Sequence, residues 1–275
     1  MTDDLTNGLG RLKDLCAGDG ERIDLLEAGF LLSVLGAGAP AELAPFRQHV
    51  TAMTDDLADL VHRRGATPEA LSEVIARSYA YRGDSETYDD LQNADLMRVI
   101  ERRKGLPVAL SILYLHVARA QGWQAEGLAF PGHFLIRIGI DGARHVVDPF
   151  HEGAVREAAE LRRLLRQVLG PDAELAPAHF DAVSDRDVLL RLENNVRLRL
   201  ARREDWPGTA RSLDRMLAIA PDRIELLFEA GQLNARLDKR RAAIAAYERI
   251  LELDVDGDLR RQASALLQEL RRGLN

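Results

Sequence analysis

The sequence predicts an α+β protein: a helical N-terminal region, a core of helix plus antiparallel sheet, and an α-helical array of repeated hairpins. Three observations carry this. Apolar residues, mostly Leu, Ala, Val and Ile, recur at helical spacing from Glu21 to Arg64, from Pro68 to Ala80 and again in the segments opened by Asn93 and Pro107. The period switches to alternation between Trp123 and Phe150. Finally, LDRMLAIAPD at 213–222 returns 34 residues later as YERILELDVD at 247–256.

Taken in order, residues 1–92 read as the helical N-terminal region of the core domain. Helical spacing runs from Glu21 to Arg64 and is interrupted by GAGAP at 36–40, and more helix is expected from Pro68 to Ala80. Residues 93–170 read as the core proper. Asn93 stands where an N-cap belongs, ahead of Leu96, Met97, Val99 and Ile100, and Gly105 is the expected stop. Pro107 then opens a nearly all-apolar helix, which should be the buried central one. Gly122 ends it. WQAEGLAF, HFLIRIGI and ARHVVDPF follow as three short strands, the last two joined at Asp141-Gly142. Helix returns from Glu157 to Leu169, and GPDAELAPAH places a linker over 171–184. The 34-residue period over 185–275 is that of tetratricopeptide (TPR) repeats: two hairpins, then a capping helix at 259–272.

A two-residue turn at Asp141-Gly142 pairs Ile140 with Ala143, Arg137 with Val146, Leu135 with Asp148 and His133 with Phe150. His133 and Asp148 then become diagonal neighbours on one face. A carboxylate beside an imidazole orients the ring for base catalysis, and it equally makes an inert structural pair. His133, His145, Asp148 and His151 also cluster in sequence, but His145 falls on the opposite face and no helix carries a pair at i, i+4; no metal and no other cofactor is expected. Arg102-Arg103-Lys104 reads as a cationic helix C-terminus.

NADLMRVIERRKGLP at 93–107, PGHFLIRI at 131–138 and VVDPFHEG at 146–153, with TPR-like repeats behind them, resemble the SirB-type family of bacterial proteins. These couple a transglutaminase-like (papain-like) core to a C-terminal TPR segment. The resemblance implies that His133 and Asp148 are the base and orienter of a Cys–His–Asp triad, with the thiol in the first turn of the central helix. Residues 106–109 are Leu, Pro, Val and Ala, so the nucleophile is missing there, and the one cysteine, Cys16, lies about ninety residues upstream. Ser111 is the nearest hydroxyl, and such a serine more often bonds its own i−4 carbonyl. The repeats imply a groove lined by Arg191, Asn194 and Arg202 in the first copy and Phe228, Gln232 and Arg236 in the second. Arg202 and Arg236 should stack and grip an acidic or C-terminal carboxylate segment of a partner protein. The family name also implies a link to gene regulation in bacteria.

The sequence thus reads as a non-catalytic, nucleophile-lacking regulatory or adaptor protein. Its alternative is a hydrolase or acyl transferase that uses His133 and Asp148 with a non-cysteine nucleophile. Residues 1–100 hold 18 acidic against 9 basic side chains, and no stretch concentrates enough positive charge for a phosphate-binding face, so nucleic acid is not an expected partner. A single cysteine, no basic leader and no long apolar run point to a cytoplasmic chain without membrane contact.

Overall fold

The computed structural model describes residues 2–18, 22–253 and 257–272. They form two compact units, one of residues 18–192 and one of residues 1–17 and 193–275. Helix α1 (Thr2–Leu15) opens the chain and belongs to the second unit. Glu21, the expected start of the next helix, lies outside the described residues. α2 starts at Leu25, where the Asp24 carboxylate accepts from the Leu26 and Glu27 amides, and it ends on Gly38 in the left-handed region. The GAGAP break separates it from α3 (Ala44–Arg64).

The helix expected over 68–80 is only briefly α-helical. α4 (Pro68–Ser72) widens into a π-helical turn at Glu73–Ser78, where the Tyr79 amide donates to Val74 and the Tyr81 amide to Ile75. Strand β1 (Arg82–Gly83) follows. Asn93 is not an N-cap: it is buried in a 3₁₀ turn, and Asp95, immediately before α5 (Leu96–Arg102), caps that helix through the Met97 and Arg98 amides. α5 also stops before Gly105, because Arg103 takes the left-handed position that ends helices (φ 59°). Gly105 instead lies in β2 (Lys104–Gly105), parallel to β1.

α6 (Pro107–Ala120) is the buried central helix, as its sequence predicts. β3 (Gln124–Leu128), β4 (Ile136–Ile140) and β5 (Ala143–Asp148) are antiparallel, with Ile140 opposite Ala143 and Arg137 opposite Val146. β5 ends at Asp148 and not at Phe150, since Pro149 lacks a ladder donor and the Asp148 side chain caps a 3₁₀ turn. Two short edge strands escape the alternation pattern: β6 (Ala154–Val155) pairs with β5, and β7 (Ala182–Val183) pairs with β3. The sheet order is β6-β5-β4-β3-β7. α7 (Ala158–Leu169) lies between the last two strands in sequence, opened by the Glu157/Glu160 capping box. The 171–184 stretch thus supplies a sheet edge as well as a connection.

The repeats are helical hairpins. α8 (Asp185–Arg202) and α9 (Trp206–Ile219) make the first, α10 (Ile224–Arg236) and α11 (Arg240–Glu252) the second, and α12 (Asp258–Arg272) caps them. Asp254, Val255 and Asp256 of the second repeat stretch lie outside the described residues. Leu227, Phe228, Tyr247 and Ile250 pack with Ala263 and Leu267 to form the tail's core.

Candidate functional site

His133 sits in the turn leading into β4, and Asp148 is the last residue of β5. The hairpin register brings them together, with His133 Nε2 2.9 Å from Asp148 Oδ1. The same carboxylate gathers far more. His151 Nδ1 lies 2.8 Å from Oδ2, Arg156 donates through Nε and Nη2 at 3.1 and 2.9 Å, and the Phe150 and His151 amides donate to Oδ1. Asp148 is wholly buried. Burial pushes its carboxyl up, but the hydrogen bonds and charges of His133 and His151 outweigh that and hold it well below the usual carboxylate range. His133 is 16% exposed and His151 50%, so the ring that reaches solvent is His151.

The helix side of the site is closed. Leu106, Pro107, Val108 and Ala109 are all buried, and Ser111 is buried with its hydroxyl donating to Pro107 O at 2.8 Å. Cys16 is buried in the other compact unit. Ligand atoms of His133, Asp148 and His151 lie within 4.8 Å of one another, the group among the described residues that comes nearest to a metal centre, but both Asp148 oxygens already accept N–H groups and Arg156 brings a positive charge to one of them. His145 is not in that group; it faces Ile138 across the hairpin.

Beside His151 opens a cleft of about 460 Å³, walled by Arg82–Glu86 and Lys104 on one side and Phe150–Glu152 on the other. Arg102, Arg103 and Lys104 fasten the first wall. Arg102 bonds Asp84 at 2.8 Å and Asn93 at 2.9 Å, Arg103 bonds Tyr81 at 2.5 Å and also His49, and Lys104 bonds Glu86 at 3.1 Å. Two of the three therefore hold carboxylates, beyond the helix-end role their position suggested. Burial raises the Asp84 carboxyl, but Thr87 and Arg102 bring it down to about 2. Tyr81 is buried, which pushes its phenol up to about 12. Phe150 lies against Gly83 so closely that a Cβ there would stand 2.5–2.6 Å from three ring carbons. Tyr88 is exposed and meets Phe150 edge-on.

In the tail the groove residues divide. Phe228 is buried against Tyr247, so it belongs to the hydrophobic core. Arg191 falls in the first unit, over the Phe134 ring at 5.2 Å. Asn194 accepts from Arg197. Arg202, Gln232 and Arg236 are exposed, and Arg236 lies over Trp206 at 4.9 Å.

Residues 44–194 match the Transglutaminase-like superfamily. The chain belongs to that superfamily. Residues 196–268 match the Tetratricopeptide repeat, completing the SirB-type arrangement. A UPF0162 protein of Xylella fastidiosa (strain Temecula1) is 33% identical over 67% of this chain and 66% of its own length. This chain therefore spans just under two thirds of that relative. A UPF0162 protein of Vibrio cholerae is 28% identical over 87% of this chain and 89% of its own. Mouse F-box only protein 21 is 32% identical over 62% of this chain but 27% of its own.

In this transglutaminase-like core the dyad geometry can orient an imidazole, and the hairpin parity made it legible. Arg156 was not legible: it lies eight residues past Asp148, beyond β5, and only the β5–β6 pairing returns it to the carboxylate. Its one sequence signal is the Glu160 partner at i+4.

Proposed function

We propose that this chain is a non-catalytic transglutaminase-like protein that acts as a regulatory or adaptor module, with its TPR tail binding a partner protein. One observation carries the reading: the turn in which the superfamily resemblance asks for a thiol is four buried apolar residues, and the next hydroxyl, Ser111, is spent on Pro107 O. His133 and Asp148 are then triad remnants kept for binding and structure. A second reading keeps chemistry, because His133 turns Nε2 to an ionised Asp148 and leaves Nδ1 without a partner among the described residues, the orientation of a general base awaiting a nucleophile from elsewhere. Turnover by the wild type separates the two: with acyl-donor amides and peptides as substrates the adaptor reading expects none, and wild-type turnover that is lost in a folded H133Q favours the second.

For the tail, Arg202 and Arg236, with Asn194 and Gln232, favour an acidic or C-terminal carboxylate segment. A fluorescent peptide with an acidic free C-terminus should bind the wild type and lose affinity in R202E/R236E, and amidating the peptide should weaken it. Equal binding by all four combinations refutes the groove. Cys16, the one cysteine of the sequence, is buried, and a single buried cysteine supports a reducing, cytoplasmic setting.

A further inference from the structure

The cleft beside His151 carries a charge pattern that the adaptor reading leaves unused. Most of its charged lining is already neutralised: Asp84 is held by Arg102, and Glu86 pairs with Lys104. Two charges remain. The Arg82 guanidinium on one wall and the Glu152 carboxylate on the other both line the cleft, and neither has a hydrogen-bond or ion-pair partner among the described residues. Glu152 also holds a left-handed backbone (φ 56°), a conformation that costs a non-glycine residue energy and gathers at working sites.

His151 adds direction. Its Nδ1 faces the ionised Asp148 carboxylate, which requires the proton on that nitrogen, so in the neutral ring Nε2 is a bare acceptor. His151 and Glu152 both line the cleft, and Nε2 and the carboxylate are both acceptors for an N–H group of a ligand. Arg82 can receive a carboxylate as a bidentate pair. Phe150, packed against Gly83, gives the wall that carries Glu152 an apolar surface.

We propose that this cleft binds a small dipolar ligand bearing one ammonium and one carboxylate, an amino acid or a short peptide with both ends free. The ammonium lies toward Glu152 and His151 and the carboxylate toward Arg82. The cleft volume of about 460 Å³ falls within the range of small-ligand sites. The inference rests on the reading that the core binds and does not turn over its ligand.

The test follows the His151 ring protons by NMR, assigned with H151Q, in the full chain. Alanine, trialanine, N-acetyl-trialanine and trialanine amide are the titrants. Trialanine or alanine should shift these resonances saturably, and which one binds tighter separates peptide from amino acid. Blocking either end should weaken binding about tenfold or more, the loss of one charge-assisted contact. In R82E the amide should lose its disadvantage relative to the free acid. In E152G, which the left-handed backbone accepts without strain, the acetyl block should stop mattering. No saturable shift with either free-ended ligand, or equal binding by blocked and free peptides, overturns the proposal. Either result leaves the adaptor reading intact, whereas turnover of the peptide removes the adaptor reading and not the site.

Discussion

Replacing Asp148 by asparagine tests whether this residue holds the core together. Asparagine keeps one acceptor oxygen and puts an NH₂ donor in place of the other. If the oxygen stays with His133 and the two backbone amides, the NH₂ meets His151 Nδ1 and two Arg156 donors, which is donor against donor. Arg156 is 13% exposed and retains Glu160 at 3.0 Å. Removing one partner of a buried pair costs about 3–5 kcal/mol, and the surviving Glu160 contact sets the expectation near the low end, about 3 kcal/mol. That is a large share of the roughly 5–15 kcal/mol available to a domain. The native carboxyl is depressed, so its contribution is complete above the unfolded value, near 3.9, and is lost as pH falls through the folded one. Between pH 5 and pH 3 the gap between wild type and D148N should therefore shrink by about 1.3 kcal/mol, the free energy of protonating the unfolded carboxylate. Urea unfolding in a W206F background, where Trp123 reports on the core unit alone, measures both numbers. A gap below about 1 kcal/mol at neutral pH, or one that does not shrink in acid, refutes the assignment of Asp148 as a structural anchor.

Two further outcomes follow from single contacts. S111A should lose about 1 kcal/mol, the net worth of its bond to Pro107 O, and any turnover should be unchanged; a loss of turnover without loss of stability makes Ser111 a nucleophile. G231A places a Cβ 2.6 Å from Tyr247 Cζ, and overpacking of that kind costs about 1–3 kcal/mol, which should appear in a Trp206-reported tail transition and be absent from the Trp123-reported core transition.

What the sequence disclosed depended on period and range. α6 declared itself through Pro107 and a run of apolar side chains, and the β4–β5 hairpin through Asp141-Gly142, because both signals are local. The turn fixed the parity, and the parity brought His133 to Asp148. Asp95 as the cap in place of Asn93 is the usual uncertainty of a helix end, where two Asx residues compete and tertiary contacts choose: Asn93 is drawn inward by Arg102 and Thr87. β6 and β7 were illegible because two-residue strands have no period. In the tail, Phe228 was assigned to the groove by its place in the repeat, and its burial against Tyr247 is what an aromatic on a repeat's inner face gains by packing. Arg191 illustrates another limit. A helix that continues across a unit boundary carries no mark in its sequence of where one unit ends.

The persistence of His133 and Asp148 beside an apolar helix start is the strongest argument for surviving chemistry, and the geometry supplies a different reason for it. A carboxylate that only orients a catalytic ring needs one imidazole. Asp148 instead ends a strand, caps the turn after it through two amides, holds a guanidinium returned by β6 and carries a second imidazole. Loss of a thiol from the neighbouring helix would relax none of those demands, since each is set by the fold and not by a reacting group. His133 is in turn kept by Asp148, because a buried anion with an empty donor position costs more than a satisfied one. The turn so fixed carries Phe150, His151 and Glu152 into one wall of the cleft. Structural retention of the dyad and a binding role for the cleft are therefore consequences of a single buried charge.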